Sequence, residues 1–497
     1  MSEGNNLLSK SMGAAAWAYG GNIVKLLSQV LAQIVLARVI GPADYGVFAI
    51  GVLVISFSIL LSDAAAGPAI VQAEELTSEL IRFALTSQLL VGGLVTGGLW
   101  ITADWIALFF HEPKAVWVIR ALSLVCLLNA LSSISLNLLK RHLDFKTIQI
   151  AQVTGHAAGY LIVGIPLAMY GLGVWSMVAA WMVQSALSWG IMYRSARHPW
   201  LPKFSAAGGR QLSHFGLFAT LTNFANWIIA NADRIVVGKV FNLTQVGLYT
   251  TPYNFLTAPI SQLLGSLQSV LFPASARMNG NRQQSRTAFM ALLSAVSLIV
   301  FPVLWAIAVI PETVLYCIYG PKWLASADIL QAFAFGLPFY CIMGVGTPIL
   351  WGQGSVQKEF LVQIVIAIVV VAGAIYISAF GTKWIAWFMA LIFVLRACWI
   401  LYIVARLLGL AIKTIVLALA VAMGIAGFCA AVVFWTDVYI ASVWPSLIAR
   451  IVVLAVGWGV CWMTGVMMLR GSINPNLTTI VTKFIAKRFC GKVVTRC

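Results

Sequence analysis

Along the chain, runs of about 20 predominantly apolar residues alternate with short clusters of charge, proline and glycine, and a helix of that length is what a bilayer's hydrocarbon core requires. Cutting at those clusters predicts fourteen spans, at about 13–37, 45–65, 82–103, 117–138, 148–169, 173–193, 213–237, 245–271, 287–310, 324–349, 359–379, 384–405, 411–435 and 446–469. Each is expected to be a helix, because a backbone in lipid must satisfy its own N–H and C=O groups. The predicted fold class is an all-α polytopic membrane protein.

Composition agrees with the pattern. Of 497 residues, 61% are hydrophobic and 9% charged, where soluble proteins carry roughly a quarter charged residues; a soluble enzyme is excluded. The eight cysteines sit mostly inside apolar runs without paired spacing, and are expected to act as small apolar fillers. Met1 to Ser11 is polar and no cleavage motif follows the first apolar run, so the first helix is expected to stay. With an even span count both termini share one side. Placing them in the cytoplasm puts 21 Lys and Arg in cytoplasmic connections and five outside: Arg38, Lys114, Lys239, Lys322 and Lys383. Basic cytoplasmic loops are what insertion favours, so the net charge of +17 is topological and implies no nucleic-acid partner.

An internal repeat adds organisation. Residues 37–49 read A-R-V-I-G-P-A-D-Y-G-V-F-A, and residues 238–250, 201 positions later, read G-K-V-F-N-L-T-Q-V-G-L-Y-T. Arg38 falls on Lys239, Val39 on Val240, Gly46 on Gly247 and Phe48 on Tyr249. Six spans separate the copies, so the halves insert in the same orientation around an axis along the membrane normal, a transporter design. The expected organisation is two parallel six-helix lobes, 1–193 and 213–405, joined by a cytoplasmic linker, 194–212, that contains Pro199 and Pro202. Helices 13 and 14 occupy 406–470, and a basic tail, 471–497, carries an amphipathic pattern suited to the cytoplasmic leaflet.

An ionisable group in the hydrocarbon costs a few kcal/mol even on lenient scales, and few occur. Arg120 and Arg450 lie near outer boundaries and are expected to snorkel to the interface; Arg396, Lys25 and Arg234 do not fit that explanation. At about 100° per residue, Asn22, Lys25, Gln29 and Gln33 of the first span fall at about 0°, 300°, 340° and 20°. In the seventh span Asn223, Asn226 and Arg234 fall at about 0°, 300° and 20°, with Asp233 adjoining. Such a stripe can simply bond neighbouring helices, but two matching stripes on the first helix of each lobe predict a shared hydrophilic cavity. Its residues are the predicted substrate-binding set: Asn22, Lys25, Gln29, Gln33, Asn223, Asn226 and Arg234. Ammonium and guanidinium groups pair phosphate oxygens and amides bond sugar hydroxyls, so the set suits a ligand with an anion and many hydroxyls. Trp227, Tyr249 and Tyr253 offer flat faces for sugar rings, with helix packing as the plainer alternative. Asp233 either neutralises Arg234 or, like Asp63, binds a coupling H⁺ or Na⁺. No P-loop, G-x-S-x-G, H-E-x-x-H or Cys-x-x-Cys is present, and the five histidines lack metal spacing. Neither a catalytic residue, a metal site nor a cofactor beyond a coupling ion is predicted.

At this point a resemblance enters. L-A-R-V-I-G-P-A-D-Y-G at 36–46, N-W-I-I-A-N-A-D-R-I-V-V-G-K from Asn226 to Lys239, L-F-P-A at 271–274 and Y-G-P-K-W-L-A-S-A-D-I-L at 319–330 resemble the polysaccharide transport family of the multidrug, oligosaccharidyl-lipid and polysaccharide exporter superfamily, and within it the Wzx-type, colanic-acid-exporter-like flippases. The likeness covers roughly residues 8–410; spans 13 and 14 carry little of it. It implies a fourteen-helix protein of the bacterial inner membrane that moves undecaprenyl-pyrophosphate-linked oligosaccharide repeat units outward and is not an enzyme. Implied partners are the lipid-linked oligosaccharide, membrane lipids, and a polysaccharide polymerase and chain-length regulator. The family supplies no signature for Lys25 or Arg234, which rest on the stripes. The competing readings are a cation-coupled drug or metabolite antiporter of the same superfamily, and a membrane glycosyl-polymerising enzyme, against which the short outer loops argue.

Overall fold

The computed structural model describes residues 2–63, 77–199, 216–277, 281–353, 356–443 and 447–468. No strand occurs among them, and each predicted span overlaps helical segments within the described residues. In chain order these are α1 (Ser2–Val39), α2 (Pro42–Asp63), α3 (Ser78–Phe109), α4 (Ala115–Arg141), α5 (Phe145–His156), a π-helical turn (Ala157–Gly164), α6 (Ile165–Met169), α7 (Val174–Ser195), α8 (Gly216–Val240) and α9 (Leu243–Arg277). They continue as α10 (Arg282–Val309), α11 (Pro311–Ile318), a 3-10 turn (Pro321–Ser326), α12 (Ala327–Gly352), α13 (Val356–Ile377), a second 3-10 turn (Ser378–Phe380), α14 (Thr382–Leu408), α15 (Ile412–Val443) and α16 (Leu447–Met468).

Among the described residues nine helices are long and apolar enough to cross a membrane. α8 and α9 are not among them, because both carry the polar residues discussed below, several turned into protein. Starts are capped where the chain must turn: Thr77 Oγ1 accepts from Leu80 N at 3.2 Å, Asp144 Oδ1 from Thr147 N at 3.1 Å and Asn242 Oδ1 from Gln245 N at 3.0 Å. Asn242, which matches a glycosylation sequon, is thus the cap of α9.

The fifth span is not one α-helix. Pro166 lacks the N–H that an α ladder needs, and the backbone opens into the π turn just before it. The connection after α10 is also ordered. α11 and the following 3-10 turn fold over on Tyr319 and Trp323, 2% and 0% exposed, so the Y-G-P-K-W segment is an anchored cap.

Packing divides the chain into two compact units. One comprises Met1–Phe255 with Gln363–Thr382, the other Leu256–Val362 with Lys383–Cys497. In the first, α3 and α4 pack along their length, and α5 and the π turn lie on α7. Inside it the two copies of the repeat meet. A Cβ on Gly46 would collide with the Leu243 carbonyl oxygen, and one on Gly247 with that of Pro42. Glycine lets the first turns of α2 and α9 touch backbone to backbone. In the second unit, α12 is apolar around its circumference and buried over most of its length, with α10 between it and α15.

Two of the awkward arginines are placed by these contacts. Arg120 pairs with Asp104 at 2.6 Å, its guanidinium 5.0 Å from the Trp117 ring and 6.0 Å from Trp100. Arg450 pairs with Asp437 on α15 at 2.7 Å, whose second oxygen accepts from Thr313 Oγ1 of α11 at 3.0 Å. Arg396 is buried, 4% exposed, beside Tyr340.

Candidate substrate-binding site

The stripe on α1 is laid against α5. Lys25 Nζ donates to Gln152 Oε1 at 3.0 Å, and Gln149 Nε2 donates to Asn22 Oδ1 at 3.1 Å. Both pairs are 127 residues apart, so two successive rungs lock two parallel helices in register. One turn further, His156 Nδ1 bonds Gln184 Oε1 of α7 at 3.0 Å and its ring stacks on Tyr160. The seam therefore runs from α1 through α5 to α7. Gln29 and Gln33 are half-buried on α1.

The stripe on α8 meets the start of α9. Asp233 is 1% exposed and accepts from the Tyr249 hydroxyl at 2.7 Å. The neighbouring Arg234 lays its guanidinium 4.1 Å from the Tyr253 ring centroid. Asp233 is thus engaged by a phenol, and no ion pair within 4 Å joins it to Arg234. Asn226 is half-buried and Asn223 exposed. Trp227 Nε1 donates to Ser56 Oγ of α2 at 3.1 Å, and its ring lies 4.9 Å from that of Phe57, which also touches Phe224. Trp227 is a packing residue tying α8 to α2. Asp63 ends α2, and its side chain lies outside the described residues.

The sequence reading did not include Gln149, Gln152, His156 or Gln184. A signal for the first three existed: they fall at i, i+3 and i+7, one face of a helix. Gln184 and the division of labour between Tyr249 and Tyr253 depend on contacts between helices, which spacing along one helix does not encode.

The described residues thus form a many-helix membrane protein in which Lys25 meets an amide of a neighbouring helix and Arg234 a tyrosine ring. Solved structures share the fold. The chain superposes on the lipid II flippase MurJ, in an inward closed conformation, with a TM-score of 0.73 over 93% of this chain and all of that one, at 14% identity. A multidrug resistance MATE family transporter in an inward-facing conformation gives 0.61 over 80% of this chain and 98% of its own, at 15% identity. Residues 35–328 match the polysaccharide biosynthesis protein family, and the chain belongs to it. Relatives include the succinoglycan biosynthesis transport protein ExoT of Rhizobium meliloti, 22% identical over 65% of this chain and 65% of its own length, and the lipopolysaccharide biosynthesis protein WzxC of Escherichia coli, 24% identical over 69% and 70%. The chain thus spans about two thirds of the length of the relatives it matches.

Proposed function

We propose that the protein is a flippase carrying undecaprenyl-pyrophosphate-linked oligosaccharide repeat units from the cytoplasmic to the periplasmic leaflet of the bacterial inner membrane, for exopolysaccharide, capsule or O-antigen assembly. One observation carries the reading. Lys25 and Arg234 stand on membrane helices beside a neutral amide and a neutral ring, and among the described residues neither forms an ion pair within 4 Å. Charge kept unneutralised in a membrane protein suits an anionic ligand, and Lys and Arg both bind phosphate oxygens. Membership of a polysaccharide biosynthesis family supports a sugar-bearing one.

In this reading Lys25 and Arg234 take the pyrophosphate; Asn22, Gln29, Gln33, Asn223 and Asn226 bond the sugars; and the lipid tail stays in the bilayer. Lobes 1–193 and 213–405 rock to expose the site to each side in turn, with both termini cytoplasmic and no chemical step. Asp233, with Asp63, is the candidate to couple that motion to H⁺ or Na⁺. A polymerase and a chain-length regulator would take up the product. Replacing Lys25 or Arg234 singly by Ala, in a strain lacking its own flippase, is expected to lower surface polysaccharide about ten-fold or more, a loss of ~1.4 kcal/mol of head-group stabilisation. Full activity from both well-expressed variants contradicts the site. The fold shared with a multidrug transporter keeps one alternative, drug antiport: restored drug resistance without any polysaccharide phenotype would favour it.

A further inference from the structure

Asp233 and Arg234 are neighbours on α8, one an acceptor and the other a donor, yet no ion pair within 4 Å joins their side chains. Asp233 Oδ1 and Arg234 Nε are both buried with no hydrogen-bond partner, although each could serve the other. Each meets one of a pair of tyrosines a turn apart on α9. Tyr249, fully buried, donates its hydroxyl to Asp233 Oδ2 at 2.7 Å, a charge-assisted bond with nothing to gain from moving. Tyr253 presents its ring face 4.1 Å from the Arg234 guanidinium, which attracts the cation without cancelling its charge. The α8–α9 turn, closed by the Asn242 cap, holds the two helices in the register that sets each ring opposite its own residue.

We propose that Tyr249 and Tyr253 are positioning residues for the anion site: Tyr249 holds the Asp233 carboxylate away from Arg234, and Tyr253 supports the guanidinium, so that Arg234 remains open to a pyrophosphate. The inference rests on the flippase reading and deepens it. Without the Tyr249 hydroxyl, the Asp233 carboxylate is freer to pair with the Arg234 guanidinium, and that internal ion pair then competes with the ligand. The hydroxyl acts through the carboxylate; its loss is predicted to be harmless once the carboxylate is gone.

The test uses the full-length protein in detergent, with farnesyl pyrophosphate as probe and farnesol as the uncharged control, binding being followed by calorimetry and folding by thermal melting. Tyr249→Phe is expected to weaken pyrophosphate binding about ten-fold, the equivalent of one lost charge-assisted contact. Asp233→Asn in that background is expected to restore it, and Asp233→Asn alone to bind at least as tightly as the unaltered protein. Tyr253→Leu, which removes the ring face, is expected to lose about ten-fold. Unchanged binding in Tyr249→Phe, or failure of Asp233→Asn to rescue it at an unaltered melting temperature, overturns the inference while leaving the flippase reading in place. Should Tyr249→Phe not fold, weaker binding in Asp233→Asn alone overturns it. If the unaltered protein does not prefer farnesyl pyrophosphate to farnesol, the flippase reading itself fails and takes the inference with it.

Discussion

A lysine ammonium within a membrane helix needs an acceptor, and Lys25 has one that carries no charge. The Gln152 amide offsets part of the desolvation cost while leaving a full positive charge on α1. That distinction can be read by substitution. Gln152→Leu removes the acceptor, and we expect it to lower stability by roughly 1–3 kcal/mol, seen as a drop in melting temperature in detergent. Gln152→Glu keeps an acceptor and neutralises Lys25; it is expected to fold normally yet export little polysaccharide. Normal export by Gln152→Glu would show that the charge on Lys25 is dispensable. At this scale the sequence revealed residue types better than partners. Asn22, Lys25 and Arg234 stood out because polar groups are rare in such spans, but nothing in their spacing said that Asn22 and Lys25 meet Gln149 and Gln152, or that a tyrosine engages Asp233.

Helices of this protein use proline where other helices supply the missing bond. Pro302 in α10 has no N–H for the Leu298 carbonyl four residues back, and the Trp462 indole of α16 donates to that oxygen at 2.7 Å. Pro348 in α12 frees the Gly344 carbonyl, and Gln268 Nε2 of α9 donates to it at 3.3 Å. In hydrocarbon an unsatisfied carbonyl is costly, so these side chains fix where α16 and α9 lie. Trp462→Phe is therefore expected to cost about 1–3 kcal/mol in thermal unfolding, and Pro302→Ala, which restores the N–H, to suppress most of that loss. An equal loss in both backgrounds would mean that the indole acts by packing alone. The helices themselves were legible, since long apolar runs have few alternatives in a bilayer. The cap formed by α11 and Trp323 and the Arg450–Asp437 pair were not, because each depends on contacts between elements that spacing along one helix does not encode.

At the scale of the molecule, the repeat seen in the sequence has a physical counterpart. Pro42 and Leu243, like Gly46 and Gly247, are 201 positions apart, and each glycine abuts the other copy's equivalent residue. Reciprocal contact of this kind is what a twofold axis between the copies produces. The neighbourhood repeats too: Asp44 of α2 lies against Gly173, and its counterpart Gln245 of α9 bonds Thr382 beside Gly381, both glycines having positive φ. Leucine at Gly46 or Gly247 is predicted to force the first turns of α2 and α9 apart and lower the melting temperature by several degrees. Gly20→Ala, where a Cβ meets open space, is expected to change nothing. Equal behaviour of the three would contradict the close contact.

The central claim is that Lys25 and Arg234 are cations kept unpaired by the protein so that they can carry an anionic head group. Reconstitution into proteoliposomes tests it most directly, with leaflet-to-leaflet transfer of an undecaprenyl-pyrophosphate oligosaccharide measured by lectin access. The unaltered protein is predicted to transfer the lipid, and Lys25→Met with Arg234→Met, at equal incorporation, to fall to the protein-free rate. Undiminished transfer by the double variant would contradict the account.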